Sequence, residues 1–433
     1  MPESVQGLGC TTDTSGFIRV AMRACFPDQD PARGSALGAV SLMGAAMVVE
    51  VQIAELTMNP LETRLFGNIL PSPLILASGP RSYAAEGIQA AYEAGAGAVV
   101  TKTLRLHPAN NPTPHIVTPL RSRDLRNTLF NSEQWSDITW EEWVRKELPD
   151  LSGHPGALIA SIGHTAEEAA AITKDVALTG VVDIIECVAY SGDALASMVR
   201  TVRENTELPI LAKLTFGWGD RLMEIAEQAL EAGANGFTAI DSIGPTLQID
   251  IETGMPTHGG KGGRAWMSGA AIRPIAIALV ADLASRFQVP VVGTGGVFAA
   301  SDVVEMTMVG ASAVGACTAP MLKDLDWFRS TAHGVATWLA DHGKSSLDEI
   351  RGVALTILAD TDQQLELDFR FEPIQCTLCN QCVVVCAYDA RALQGSNPKS
   401  IELEMEVDRE RCRNCGLCVS VCRPNALTIA NWP

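Results

Sequence analysis

The C-terminal tail carries two cysteine runs that limit what this chain can be. Cys376, Cys379, Cys382 and Cys386 read C-x-x-C-x-x-C-x-x-x-C, and Cys412, Cys415, Cys418 and Cys422 repeat that spacing. Three thiolates on such a turn bring soft sulfur to several iron atoms at once, which is the ligation pattern of a [4Fe–4S] cluster. Where two clusters share one fold, the fourth cysteine of each run serves the other cluster. The expected sets are Cys376, Cys379, Cys382 with Cys422, and Cys412, Cys415, Cys418 with Cys386. Zinc also binds C-x-x-C pairs, but it closes with four ligands and needs no doubled four-cysteine run. The proline that commonly follows the fourth cysteine is Ala387 in the first run and is displaced to Pro424 in the second. That bears on cluster potential and removes no ligand. Clusters move one electron at a time, so the rest of the chain must hold something to exchange electrons with.

With 433 residues there is room for one large domain and a small one. A formal net charge of −18 argues against nucleic acid, whose phosphates demand a basic face. Clusters and free thiols point to a reducing compartment, the cytoplasm. The remaining cysteines, Cys10, Cys25, Cys187 and Cys317, are scattered and suggest no disulfide framework. Residues 1–57 are rich in Gly, Ala, Ser and Met, with an apolar run from Ala36 to Val51. They lack the basic start of a secretory signal, and the run is short for a membrane span and carries Glu50 near its end. The expectation is a disordered leader or a true start at Met47 or Met58, with membrane anchoring the lesser alternative.

From Leu65 onward, short apolar runs alternate with helical patterns. Strands are expected at Leu74–Ala77, Ala98–Lys102, Leu158–Ile162, Asp183–Cys187, Ile210–Leu214, Gly236–Ile240, Val291–Gly293 and Ala313–Ala316. A helix is expected from Ala84 to Ala94. Strands alternating with helices in this way predict an α/β fold, a (β/α)8 TIM barrel spanning residues 58–344. A doubly wound sheet is the competing architecture, weakened by the lack of a G-x-G-x-x-G turn after the first strand. Residues 345–370 read as a linker and 371–433 as the cluster domain. In such barrels the C-terminal strand ends face the active site. Here those positions are Ser78, Lys102, Ser161, Glu186, Lys213, Asp241, Gly295 and Thr318.

Thr294-Gly295-Gly296 ends one late strand and Cys317-Thr318 follows the next, matching the usual phosphate site of the fold. An inward strand-end lysine is costly without a partner, and Lys102 and Lys213 are two of them. The reduced pyrimidine ring of a flavin supplies one, through its negative charge near N1 and O2. FMN is therefore the expected ligand, and the chain shows no nicotinamide site of its own.

Seven ordered segments strengthen this reading: Ala77-Ser78-Gly79-Pro80, Thr101-Lys102-Thr103, Leu129-Phe130-Asn131, Ile159-Ala160-Ser161-Ile162, Ala212-Lys213-Leu214-Thr215, Ser268–Ala276 and Gly293-Thr294-Gly295-Gly296. They resemble the flavin half of dihydropyrimidine dehydrogenase and, more distantly, dihydroorotate dehydrogenases. The resemblance runs from about Leu61 to the C-terminus, including an appended two-cluster bacterial-type ferredoxin domain, and is strongest to the short bacterial subunit. It implies FMN, two [4Fe–4S] clusters and a separate FAD- and NAD(P)-binding partner subunit, or a ferredoxin. Position by position, it implies that Ser78, Lys102, Thr103, Lys213, Gly269, Gly295, Gly296, Cys317 and Thr318 contact FMN, and that Asn131 touches flavin and substrate.

The departures set the substrate question. Where the family has an Asn-x-Ser-Cys-Pro loop, this chain reads Glu186-Cys187-Val188-Ala189-Tyr190, so Glu186 replaces the Asn and Ala189 the catalytic Cys. Cys187 is nearby, but strand alternation turns it away from Glu186. The family's later Asn-Thr pair is here Asp241-Ser242. An amide donates and accepts, whereas a carboxylate only accepts. Two acids facing a neutral imide would lose donors and repel its oxygens, so a donor-rich or cationic unsaturated ring is expected. Tyr190 and Ser191 are the candidate proton donors in place of the missing Cys. The overall expectation is a CH–CH oxidoreductase, a homo- or hetero-oligomer, linking clusters to a small heterocycle. A conventional uracil and thymine subunit and a non-catalytic electron-transfer subunit are the competing readings.

Overall fold

The structure is a computed structural model and describes residues 59–119, 125–358 and 366–431, together with a short antiparallel pairing of Thr11–Thr12 with Ile18–Arg19. The expectation of a disordered leader therefore falls outside the residues described in detail. The chain divides into two compact units, Met1–Val353 and Ala354–Pro433.

The first unit is a closed barrel of eight parallel strands in sequence order. These are β1 (Leu74–Leu76), β2 (Ala98–Val100), β3 (Ala157–Gly163), β4 (Ile184–Val188), β5 (Ile210–Leu214), β6 (Gly236–Ala239), β7 (Val291–Thr294) and β8 (Ala313–Ala316). The strands are mostly apolar because both faces are covered, the inner by packed side chains and the outer by helices. Ile75, Val100, Ile159, Ile184, Leu211 and Val292 fill the inside with Leu65 and Leu70. The last two come from a hairpin, Thr63–Leu65 with Asn68–Leu70, that packs into this core. Arg351 ties the hairpin down by donating to Thr63 Oγ1 and to the carbonyl of Ala311.

Helices follow the strands, including α1 (Ala85–Glu93), α2 (Ala166–Leu178), α3 (Gly192–Asn205) and α4 (Leu222–Glu231). The chain leaves this rhythm twice, after β2 and after β6. Ile116–Val117 and Thr128–Asn131 from the first excursion join Ile243–Leu247 and Arg264–Gly269 from the second. Together they make a four-stranded antiparallel sheet in which Asn131 lies opposite Trp266. The sequence reading did not foresee this sheet. Its strands are short, and its two halves are far apart in the chain.

The second unit is built from a repeated backbone. Leu378, Asn380 and Asp389 in the first cysteine run have positive φ, as do Asn414, Gly416 and Asn425 at the matching places of the second. Each run contains a four-residue helix, Gln381–Val384 or Leu417–Ser420. Two antiparallel pairs frame them, Phe369–Phe371 with Leu427–Ile429 and Arg391–Gln394 with Glu404–Val407.

Candidate active site and cluster ligands

The loops at the C-terminal ends of the barrel strands enclose a cavity of about 840 Å³. From β1 and β2 come Ser78, Lys102 and Thr103, all of which line it. Thr103 Oγ1 lies 3.5 Å from Ser78 Oγ and 3.0 Å from Ser161 Oγ, a chain of hydroxyls across three strands. From the antiparallel sheet come Asn131 and Gly269. Asn131 is oriented by donating through Nδ2 to the carbonyl of Trp266 at 3.3 Å. From β7 and β8 come Gly295, Gly296, Cys317 and Thr318. Thr318 Oγ1 is 2.9 Å from Ser268 Oγ.

The late-strand glycines are required by geometry. Gly295 and Gly296 have φ of 125° and 78°, in a region that L side chains rarely adopt. A Cβ on Gly296 would lie 2.7 Å from the Cα of Arg273, leaving no room for a side chain. Thr294 Oγ1, beside them, is buried without a hydrogen-bond partner among the described residues. A bare backbone turn, an orphaned hydroxyl and two inward ammonium groups at the mouth fit a flavin mononucleotide. Burial raises the Cys317 thiol to about 11, so it is neutral here despite the nearby lysines.

The ammonium groups do not stand alone. Lys102 Nζ is 2.7 Å from Glu133 Oε2, a partner that sequence reasoning missed. Lys213 Nζ lies between two carboxylates, 3.6 Å from Glu186 Oε1 and 3.9 Å from Asp241 Oδ2. Burial alone would lower the Lys213 pKa; Asp241 and then Glu186 outweigh it and hold the group above its ordinary value. Around these two lysines two ammoniums thus face three carboxylates, and Lys261 and Arg264 line the cavity as well.

The two acids singled out in the sequence take different positions. Asp241 lines the cavity, with its Oδ1 accepting from the Ser242 backbone N–H at 2.7 Å. Ser242 lines the cavity as well. Glu186 does not: it is 1% exposed, and its Oε2 accepts from Thr238 Oγ1 at 2.9 Å. The expectation that Glu186 grips a ligand is therefore corrected. Its carboxylate is directed toward Lys213 and Thr238 on the neighbouring strands β5 and β6.

The proton-donor candidates also separate. Tyr190 lines the cavity, its ring stacked on His164 at a centroid distance of 4.0 Å. The residue is 69% exposed, yet water lost in that packing pushes its phenol above the ordinary value. Ser191 does not line the cavity. It is the N-cap of α3, and its Oγ accepts from the Ala194 N–H at 3.3 Å. Cys187 is fully buried, and that burial raises its thiol strongly. His164 was missed by sequence reasoning. Burial, then Arg105, lowers its pKa to about 4, so the ring is neutral. Trp135 meets it edge-on at 5.8 Å, and Arg105 lies 4.0 Å over the Trp135 ring. With Trp218 and Trp266, these side chains give the cavity an aromatic lining.

In the second unit, Cys376, Cys379, Cys382 and Cys422 line one small cavity together with Phe371 and Leu393. This unites three cysteines of the first run with the last of the second, a donor set suited to an iron–sulfur cluster. Backbone N–H groups are already aimed at two of the sulfurs, Ala390 at Cys386 and Leu427 at Cys422, each at 3.3 Å. Burial raises the Cys418 thiol above its ordinary value, and the buried Arg391 opposes that rise.

Residues 60–339 match the dihydroorotate dehydrogenase family, and residues 375–426 match the 4Fe-4S dicluster domain. The chain belongs to the dihydroorotate dehydrogenase family. Among its relatives is the dihydroorotate dehydrogenase B (NAD(+)) catalytic subunit of Pyrococcus abyssi, 32% identical over 311 residues, covering 69% of this chain and 100% of that protein. The corresponding subunit of Methanothermobacter thermautotrophicus is 34% identical over 314 residues, covering 68% of this chain and 98% of its own. The NAD-dependent dihydropyrimidine dehydrogenase subunit PreA of Escherichia coli is 28% identical over 349 residues, covering 74% of this chain and 83% of its own. The chain is a flavin-dependent oxidoreductase acting on CH–CH groups, with an iron–sulfur domain appended. Among the described residues no helix is long and apolar enough to cross a membrane.

Proposed function

We propose that this chain is the catalytic subunit of a cytoplasmic CH–CH oxidoreductase that holds FMN and two [4Fe–4S] clusters and acts on a cationic or donor-rich unsaturated heterocycle. When bound, FMN supplies two-electron chemistry at a carbon–carbon bond and the clusters supply one-electron steps to a partner. Ser78, Lys102, Thr103, Asn131, Lys213, Gly269, Gly295, Gly296, Cys317 and Thr318 would hold the flavin. Electrons would be exchanged with a separate FAD- and NAD(P)-binding subunit or a ferredoxin, since no dinucleotide fingerprint follows the first strand.

The observation that carries the substrate reading is Asp241. Lys102 pairs with Glu133, and Lys213 is shared between Glu186 and Asp241; of those last two carboxylates Asp241 is the one that faces the cavity, its side chain 40% exposed. It can only accept hydrogen bonds, and the aromatic lining adds attraction for a flat cation. Asn131 offers an amide to the ring edge. Tyr190 holds a proton on its phenol oxygen at neutral pH, as any tyrosine does, and its raised pKa keeps it there until a transfer to carbon.

The test is anaerobic stopped-flow reoxidation of the reduced chain by uracil, thymine and amino-substituted or cationic unsaturated rings. The wild type is expected to favour the cationic rings. Asp241→Asn should cut that preference by about tenfold, about 1.4 kcal/mol. Uracil turning over as fast as any cationic ring would establish the conventional pyrimidine reading in its place.

A further inference from the structure

Glu186 is the strand-end acid that the fold directs away from the cavity, and its surroundings give it a different task. Its carboxylate is buried, with Oε2 hydrogen-bonded to Thr238 Oγ1 at 2.9 Å. Among the described residues its Oε1 has no hydrogen-bond donor, and it lies 3.6 Å from Lys213 Nζ, at ion-pair distance. Glu186, Lys213 and Thr238 sit on three consecutive barrel strands, Glu186 opposite Leu211 and Lys213 opposite Thr238 in the strand registers. Glu186 therefore reaches the cavity only through Lys213, which lines it.

Charges this deeply buried are screened little by water or salt, so each acts strongly on its neighbours. An ammonium beside the flavin favours the reduced form, which carries negative charge at its pyrimidine edge. A carboxylate behind that ammonium opposes it. We infer that Glu186 is a positioning residue that weakens the pull of Lys213, setting the potential of the bound flavin lower than Lys213 alone would. This rests on the flavin reading above, in which Lys213 faces the flavin. A lower potential makes the flavin a stronger reductant, in keeping with an appended iron–sulfur domain. An amide at position 186 could accept the Thr238 hydrogen bond equally well. The feature that distinguishes this chain is thus the charge, not the hydrogen bond.

The experiment is an anaerobic spectroelectrochemical titration of the flavin in the full holoprotein, comparing wild type, Glu186→Gln and Lys213→Met. Glu186→Gln should favour the reduced flavin by tenfold or more, about 30 mV upward for a two-electron couple. Lys213→Met should move the potential down. A shift with Lys213→Met but none with Glu186→Gln overturns the inference and leaves the flavin reading standing. No shift with Lys213→Met means that Lys213 does not face the flavin, and both readings fall. If Glu186→Gln does not retain flavin, Thr238→Val is titrated instead. That variant removes the donor to Oε2 while sparing both charges and leaves Lys213 as the carboxylate's remaining partner, so a downward shift is required; an unchanged potential overturns the inference.

Discussion

At the scale of single residues, His164 shows how much of this site depends on exclusion of water. The ring is 8% exposed, stacked on Tyr190, and its Nδ1 is buried without a hydrogen-bond partner among the described residues. Its pKa falls from 6.5 to about 4. Between those values the unfolded chain binds a proton that the native chain refuses, so stability rises with pH across that window. The contribution is complete above about pH 6.5, is lost as pH falls toward 4, and amounts to about 3 kcal/mol over the full span. About 2 kcal/mol of it should be gone by pH 5. His164→Phe keeps a flat ring against Tyr190 but cannot bind a proton. Urea unfolding of the barrel, followed by circular dichroism at pH 7 and pH 5, should show a smaller acid loss in the variant. Equal losses in the two proteins would mean that the native ring protonates freely.

At the scale of elements, the junction between β4 and α3 holds two adjacent side chains with different tasks. Tyr190 faces the cavity, whereas Ser191 caps the helix. Ser191→Ala should cost about 1 kcal/mol of stability and leave turnover unchanged. Tyr190→Phe should do the reverse, lowering kcat about a hundredfold with little change in KM, since it removes a proton and not a binding surface. Thermal melts and steady-state kinetics on both variants decide the assignment, and a collapse of kcat in Ser191→Ala would return the serine to the chemistry. A Ser just before a helical pattern is a capping signal, so this part of the serine's role was readable from sequence. The direction taken by Glu186 was not. Sequence places a residue at a strand end, but the partner it turns to depends on the neighbouring strands, here Lys213 and Thr238. The eight barrel strands were legible because each is a short, mostly apolar run with a polar or glycine residue at or near its C-terminal end. The mouth sheet was hidden because Ile116–Val117 is only two residues long and the strand beyond its neighbour Thr128–Asn131 comes from another loop. Glu133, His164 and Trp135 were missed for the same reason: they lie on loops, where periodicity carries no signal.

At the scale of the whole molecule, the barrel and the cluster unit are separate compact bodies with separate cofactor chemistry, and their losses should be separable. The repeated backbone of the second unit does not itself say how its eight cysteines divide. The small cavity does bear on it, because Cys422 joins Cys376, Cys379 and Cys382 around one space while remaining distant in sequence. If this grouping is the ligand set, Cys422→Ala and Cys376→Ala remove the same cluster. Cys386→Ala and Cys412→Ala then remove the other. Each variant should fall from about eight irons per chain to about four, with flavin content unchanged. Low-temperature electron paramagnetic resonance of the reduced variants, with anaerobic iron and flavin analysis, measures this directly. Cys422→Ala should leave the same signal as Cys376→Ala, and Cys386→Ala the complementary one. If Cys422→Ala instead matches Cys412→Ala, each run ligates its own cluster. The grouping of Cys422 with the first run would then reflect chain packing and not ligation.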